Sequence, residues 1–111
     1  MTNLALIVTI VRKGWGSTVL EASVNAGARG GTVLFGRGAG VHEKERVFGM
    51  AIEPEKEILL TITPVEQVDA ILEAIVEAGQ LNDTGRGIAF VVPVEKIAGV
   101  AHVMKEALGQ E

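Results

Sequence analysis

The chain has 111 residues, 48% of them apolar, with 14 glycines and no cysteine. That is one domain's worth of chain with material for its own core, too apolar to stay disordered. Its ten Lys and Arg against fourteen Asp and Glu give a net charge of −4, which argues against a basic nucleic-acid footprint. The missing Cys excludes disulfides, thiolate metal sites and Cys nucleophiles.

In chain order, residues 4–11 form an apolar run rich in β-branched side chains and read as a strand. No positive region precedes that run and no apolar stretch approaches a membrane span. The expectation is therefore a cytoplasmic chain with no signal peptide and no direct membrane insertion. Gly14 and Gly16 interrupt the run, with Arg12 and Lys13 just before them as a small positive spot. Trp15 suits either an exposed contact or half-buried packing. Ser17 is expected to cap a helix running to about Ala26, and Gly27 to take the left-handed position after it. Residues 32–35 read as a second short strand. A long flexible loop is expected over 36–56, opening Gly36-Arg37-Gly38-Ala39-Gly40. Residues 57–63 form the third strand. Thr63-Pro64-Val65-Glu66 then has the pattern of a capped helix start, with a stripe of Val65, Val68, Ile71, Leu72, Ile75 and Val76 at helical spacing and Gly79 as its stop. After a turn at 82–87, residues 88–94 read as a fourth strand, and a tail helix is expected within 97–111.

An internal repeat organises these elements. Shifted by 52 residues, 6–27 lies over 58–79 without a gap, and eight of the 22 positions are identical, Thr9 with Thr61 and Gly27 with Gly79 among them. Each unit reads β-α-β. Two of them make a single α+β domain over 1–111, a ferredoxin-like β-α-β-β-α-β sandwich with two helices on one face of a four-stranded sheet. The strands do not alternate: Ile7 is flanked by Leu6 and Val8, Leu59 by Ile58 and Leu60, and Val91 by Phe90 and Val92. A sheet with one wet face would alternate. The helix-free face is therefore expected to press against other copies of the chain.

Chemistry is concentrated at two glycine segments. Gly36-Arg37-Gly38 opens the long loop, and Gly85-Arg86-Gly87, preceded by Thr84, leads into the last strand. Glycines let backbone N–H groups approach an anion, and each Arg offers a charge-assisted fork. A hinge at the first and an ordinary turn at the second explain the glycines as well, but neither requires the Arg. One phosphate-bearing ligand held between the two segments, in one subunit or across two, fits both. His42 and His102 lack partners at metal-ligand spacing, no metal site is assigned, and neither Ser17 nor Ser23 lies in a nucleophile elbow. No catalytic set emerges, so binding is expected rather than catalysis.

These features resemble the P-II signalling proteins. "GRGIAFVVPVEKI" at 85–97 is similar to that family's "GDGKIFVLPVE"-type segment, "TPVEQVDAILEAI" at 63–75 to its second helix, and "NAGARGGT" at 25–32 to a helix-to-strand turn. The resemblance spans residues 4–97. It implies a homotrimer that binds ADP or ATP in clefts between subunits and regulates a transporter, enzyme or regulator protein through its long loop. By position it assigns the ligand to Thr32, Gly36, Arg37, Gly38, Thr84, Gly85, Arg86 and Gly87. Ile88 stands where the family usually has Lys, Ala39 and Gly40 replace its loop-base Gln and Lys, the chain has no Tyr, and no Arg follows Arg86. Two alternatives on the same fold are an acylphosphatase-like hydrolase and a CutA-like metal-binding trimer.

Overall fold

The computed structural model describes residues 2–39, 45–47, 50–52 and 54–99. β1 (Leu4–Arg12), α1 (Gly16–Asn25) and β2 (Thr32–Arg37) form the first unit. A short antiparallel ribbon follows, β3 (Glu45–Val47) with β4 (Met50–Ile52). β5 (Glu55–Pro64), α2 (Val68–Gly79) and β6 (Gly87–Pro93) form the second unit. The four long strands make one antiparallel sheet in the order β2-β5-β1-β6, the expected ferredoxin-like arrangement. The two helices begin 52 residues apart, in register with the sequence repeat.

β2 extends to Arg37 and β5 begins at Glu55, because the pairing continues through Gly36 with Lys56 and Arg37 with Glu55. The expected 36–56 loop is thereby a 38–54 connection that carries the β3–β4 ribbon. Of the expected tail helix, residues 97–99 are in no helix, and the remainder lies outside the described residues, as do His42 and His102.

Side chains alternate between the two faces of the sheet. Ile7 and Val11 of β1 and Leu59 of β5 point to the helices, where Val19 of α1 and Ile71 and Ile75 of α2 close the core. Thr9 and Thr61, equivalent in the repeat, also lie on this face, fully buried, and their hydroxyls have no hydrogen-bond partner among the described residues. The other face carries Leu6, Val8 and Ile10 opposite Ile62, Leu60 and Ile58, with Ile88, Phe90 and Val92 on the β6 side and Leu34 on the β2 side. Leu34, Ile88, Phe90 and Val92 are 40–56% exposed in the single chain. The apolar open face inferred from the strands is therefore present. Leu4 at one end of it is covered by Val94 and Ile97.

Three local expectations are corrected. Ser17 does not cap α1; Trp15 is the residue at the cap position and makes no side-chain cap bond. The buried Glu57 carboxylate takes over that region, accepting a bond from the Gly14 N–H and lying against Gly16. A carboxylate beside a helix N-terminus is also favoured by the helix dipole. Thr63-Pro64-Val65-Glu66 is not a capping box either. β5 continues through Pro64, a single 3-10 turn occupies Val65–Gln67, and Thr63 is buried in the sheet opposite Ala5. Val65 consequently leaves the apolar stripe and is exposed. Finally, Gly27 is left-handed at φ +123°, as expected, but its repeat mate Gly79 is the last residue of α2. The left-handed position there belongs to Gln80, at φ 54°. Gly79 is instead a close approach, since a Cβ would come within 3.0 Å of Leu81 and 3.4 Å of Val19.

Candidate functional site

Antiparallel pairing gathers the chain's cations at one end of the sheet. β1 ends at Arg12, with Lys13 following; β5 starts at Glu55 and Lys56; β2 ends at Arg37; β6 starts at Gly87, just after Arg86. The register puts Gly36, Lys56 and Arg12 side by side across three strands, with Gly87 opposite Val11 on the fourth. Five of the ten Lys and Arg residues thus meet at one edge of a chain whose net charge is −4.

The first Gly-Arg-Gly segment lies at the β2–β5 corner of this end. Lys13, Phe35, Gly36, Arg37, Glu55 and Lys56 line a cavity of about 470 Å³. Phe35 is 75% exposed, Arg37 is exposed and Lys56 is buried. Lys13 Nζ lies 2.8 Å from Glu55 Oε2, and the Lys13 N–H donates to the Glu55 carbonyl at 3.2 Å. The hydrogen bond and charge of Glu55 raise the Lys13 pKa above the ordinary lysine value. The same bond and charge, with Arg37 assisting, lower that of Glu55. The Gly38 N–H donates to the Pro54 carbonyl at 3.2 Å, so the two ends of the 38–54 connection are tied together beside the cavity.

The second segment is built differently. After α2 the chain turns through bonds from Asp83 N–H to the Gln80 carbonyl and from Arg86 N–H to the Asp83 carbonyl. Gly85 and Gly87 have φ of +79° and +141°. A Cβ on Gly87 would lie 2.3 Å from the Ile10 carbonyl oxygen, and one on Gly85 3.4 Å from Arg12 Nη2. Arg86 does not extend into solvent. Its guanidinium carbon stands 4.0 Å from the centre of the Trp15 ring, and its Nη2 is buried with no hydrogen-bond partner among the described residues. Trp15 is half-buried against the core, the second of the two environments its sequence allowed.

Gly36, Arg37 and Gly38 are together at the cavity, and Gly85, Arg86 and Gly87 are together at the β6 turn. The two groups share one end of the sheet but occupy opposite edges. Two strands intervene, a separation of about 14 Å at ~4.8 Å per strand. Thr84 is exposed on the turn before Gly85. Thr32 lies at the far end of β2, opposite Leu60 on the apolar face. Sequence reasoning missed Lys56, Glu55 and Glu57, and noted Lys13 only as part of a spot. Their placement depends on the β1–β5 register, which no local motif encodes.

Among the described residues there is no cluster of three or more His, Asp or Glu able to hold a metal ion. No described helix is long and apolar enough to cross a membrane. Comparison with known proteins gives a consistent family. The model of the family "Nitrogen regulatory protein P-II" matches residues 4–102. Among solved structures, the fold is similar to that of the PII protein of Arabidopsis thaliana bound to citrate, with a TM-score of 0.68 and 24% identity, covering 93% of this chain and 85% of that one. No curated protein matches the sequence.

Proposed function

We propose that this chain, which belongs to the nitrogen regulatory protein P-II family, is a regulator rather than an enzyme. It binds a small anionic effector at the basic end of its sheet and signals the bound state to a partner protein. The observation that carries this reading is the meeting of Arg12, Lys13, Arg37, Lys56 and Arg86 at one sheet end in an otherwise acidic chain. Positive charge concentrated at one end of the sheet favours an anion there, and Arg and Lys side chains can grip its oxygens through charge-assisted hydrogen bonds. The cavity at Gly36 and Arg37 adds glycine backbone that a phosphate or carboxylate can approach closely, and the exposed ring of Phe35.

The effector in this reading is an adenine nucleotide, ADP or ATP. The apolar open face is buried between three copies in a cytoplasmic homotrimer, where one copy's β2 edge and another's β6 edge bring the two Gly-Arg-Gly segments to a shared cleft. That assembly accounts for their separation within one chain. The 38–54 connection, whose two ends meet at the cavity, carries the signal to a transporter, enzyme or regulator. The Arabidopsis protein is bound to citrate, a small polycarboxylate anion, which supports an anionic effector here.

The test is calorimetric titration of the full chain with ADP, ATP, AMP, citrate and 2-oxoglutarate, repeated on Arg37→Ala. Hydrogen bonds to charged groups contribute about 1.5–3 kcal/mol, so the variant should bind its preferred effector roughly 10- to 150-fold more weakly. A wild-type protein that binds none of the five, or an Arg37→Ala protein that binds as well as wild type, refutes the assignment.

A further inference from the structure

The cavity at the β2–β5 corner carries one carboxylate among its cations. Of its described lining residues, Lys13, Arg37 and Lys56 are positive and Glu55 alone is negative. Glu55 is paired with Arg37 in the β2–β5 register, and its Oε2 lies 2.8 Å from Lys13 Nζ. The Lys13 and Glu55 side chains are 63% and 52% exposed and Arg37 is exposed as well, so these charges are open to a solute. The hydrogen bond from Lys13, then the charges of Lys13 and Arg37, hold the Glu55 carboxyl below its ordinary pKa. It is therefore an anion at neutral pH.

Stability does not account for a carboxylate here. An exposed ion pair contributes little, because water screens it and two long side chains lose freedom. What ties this corner together is main chain: the Lys13 N–H donates to the Glu55 carbonyl at 3.2 Å, and β2 pairs with β5 as far as Arg37. Neither contact uses the Glu55 side chain. Its effect falls instead on what enters the cavity. It already satisfies Lys13, and an anion gripped by Lys13 and Arg37 must lie beside it. Repulsion of the wrong ligand is a common source of specificity.

We propose that Glu55 is the specificity-determining residue of this cavity. It is a built-in anion that competes with the effector for Lys13 and penalises each further negative charge the effector brings. The cavity therefore favours a phosphate end of low charge over a longer polyphosphate. The inference rests on the nucleotide-binding function proposed above and adds to it the group that selects among nucleotides.

The experiment is calorimetric titration of the full chain with AMP, ADP and ATP, a series that gains one phosphoryl group at a time. The variants are Glu55→Gln, Glu55→Ala, Glu55→Asp and Glu77→Gln. At a water-like dielectric, one charge at about 4–8 Å from another changes binding by about 2- to 6-fold. Glu55→Gln should therefore strengthen ADP binding by about 2- to 6-fold more than AMP binding, and ATP binding by more than ADP binding. Glu55→Ala, a second neutral variant, should give the same order. Raising the salt to about 0.5 M should shrink these graded gains. Glu55→Asp keeps the charge and should keep the wild-type ratios within about twofold. Glu77→Gln removes the same charge from an exposed position on α2, away from the cavity, and should leave the ratios unchanged.

Wild-type binding whose AMP, ADP and ATP ratios survive both neutral variants overturns the selective role alone. So does weaker binding in folded Glu55→Gln, a Glu55→Asp protein that behaves like Glu55→Gln, or a Glu77→Gln protein whose ratios shift as much. A wild-type chain that binds none of the three overturns both this role and the function on which it rests.

Discussion

Gly87→Ala separates what the fold requires at the second Gly-Arg-Gly segment from what a ligand would require. Gly87 has φ +141°, a conformation that side-chain-bearing residues rarely adopt. An added Cβ would lie 2.3 Å from the Ile10 carbonyl oxygen and 3.2 Å from Val11 Cα. Both are backbone atoms of β1, a strand paired on both edges, so neither can step aside without disturbing the sheet. Backbone strain of about 1–3 kcal/mol and overpacking of about 1–3 kcal/mol together predict a loss of roughly 2–6 kcal/mol. For a domain of this size that lowers the melting temperature by about 10–25 °C at fixed protein concentration. Gly38→Ala is the control. Nothing lies within 4 Å of its added Cβ and its φ is not left-handed, so stability should hold or rise by up to about 1 kcal/mol. Thermal melts by circular dichroism read both variants. A Gly87→Ala protein melting within about 3 °C of wild type would refute the packing argument.

Thr61→Val removes a buried hydroxyl that has no partner among the described residues and keeps the shape of the side chain. It should stabilise the domain by about 1 kcal/mol in chemical denaturation, and a lower stability would mean that the hydroxyl is satisfied. Phe90→Glu places a carboxylate in the middle of the apolar open face and should convert the proposed trimer to monomers in size-exclusion chromatography with light scattering; a variant with the same oligomeric state as wild type rules that face out as the interface. The Lys13–Glu55 pair should be formed around neutral pH and lost at both extremes. Glu55, with its pKa lowered, contributes above the ordinary carboxylate value and ceases to as pH falls through the lowered one. Lys13, with its pKa raised, contributes below the ordinary lysine value and ceases to as pH climbs through the raised one. Because both groups are exposed, salt should weaken the pair, and side-chain NMR titration of Lys13 in wild type and Glu55→Gln is the check. An identical Lys13 titration in the two proteins would show that no pair forms in solution.

The architecture was legible because hydrophobic pattern and repeat agreed. An offset of 52 residues set both helix starts, and unbroken apolar runs at β1, β5 and β6 announced a sheet whose open face is apolar too. Helix ends were less legible. Cap rules consider side chains near in sequence, yet the group that bonds the turn just before α1 is Glu57, brought from another strand. At α2 the strand simply continued through Pro64, since a residue with fixed φ and no N–H is as acceptable at a strand end as at a helix start. Identity within the repeat did not carry conformation with it either: Gly27 is left-handed, while Gly79 is helical and small because Val19 and Leu81 crowd it.

The two Gly-Arg-Gly tripeptides show why the site was only half legible. As sequence they are the same three residues, and the same role was assigned to both. In the fold, the first ends a strand beside an open cavity, with its Arg exposed and no left-handed glycine, so its residues are free to answer to a ligand. The second is a turn whose glycines are demanded by conformation and by contact with β1 and whose Arg is folded inward onto Trp15. Had both been ordinary turns, Arg86 would be expected in water. Its guanidinium lies instead on the Trp15 ring, a cation–π contact that turn geometry alone does not require. The contact responsible joins residue 15 to residue 86 across β1 and β6, so it appears only once the strands are paired. The glycine-rich spelling marked the basic end of the sheet, and the tertiary fold gave the two copies different surroundings.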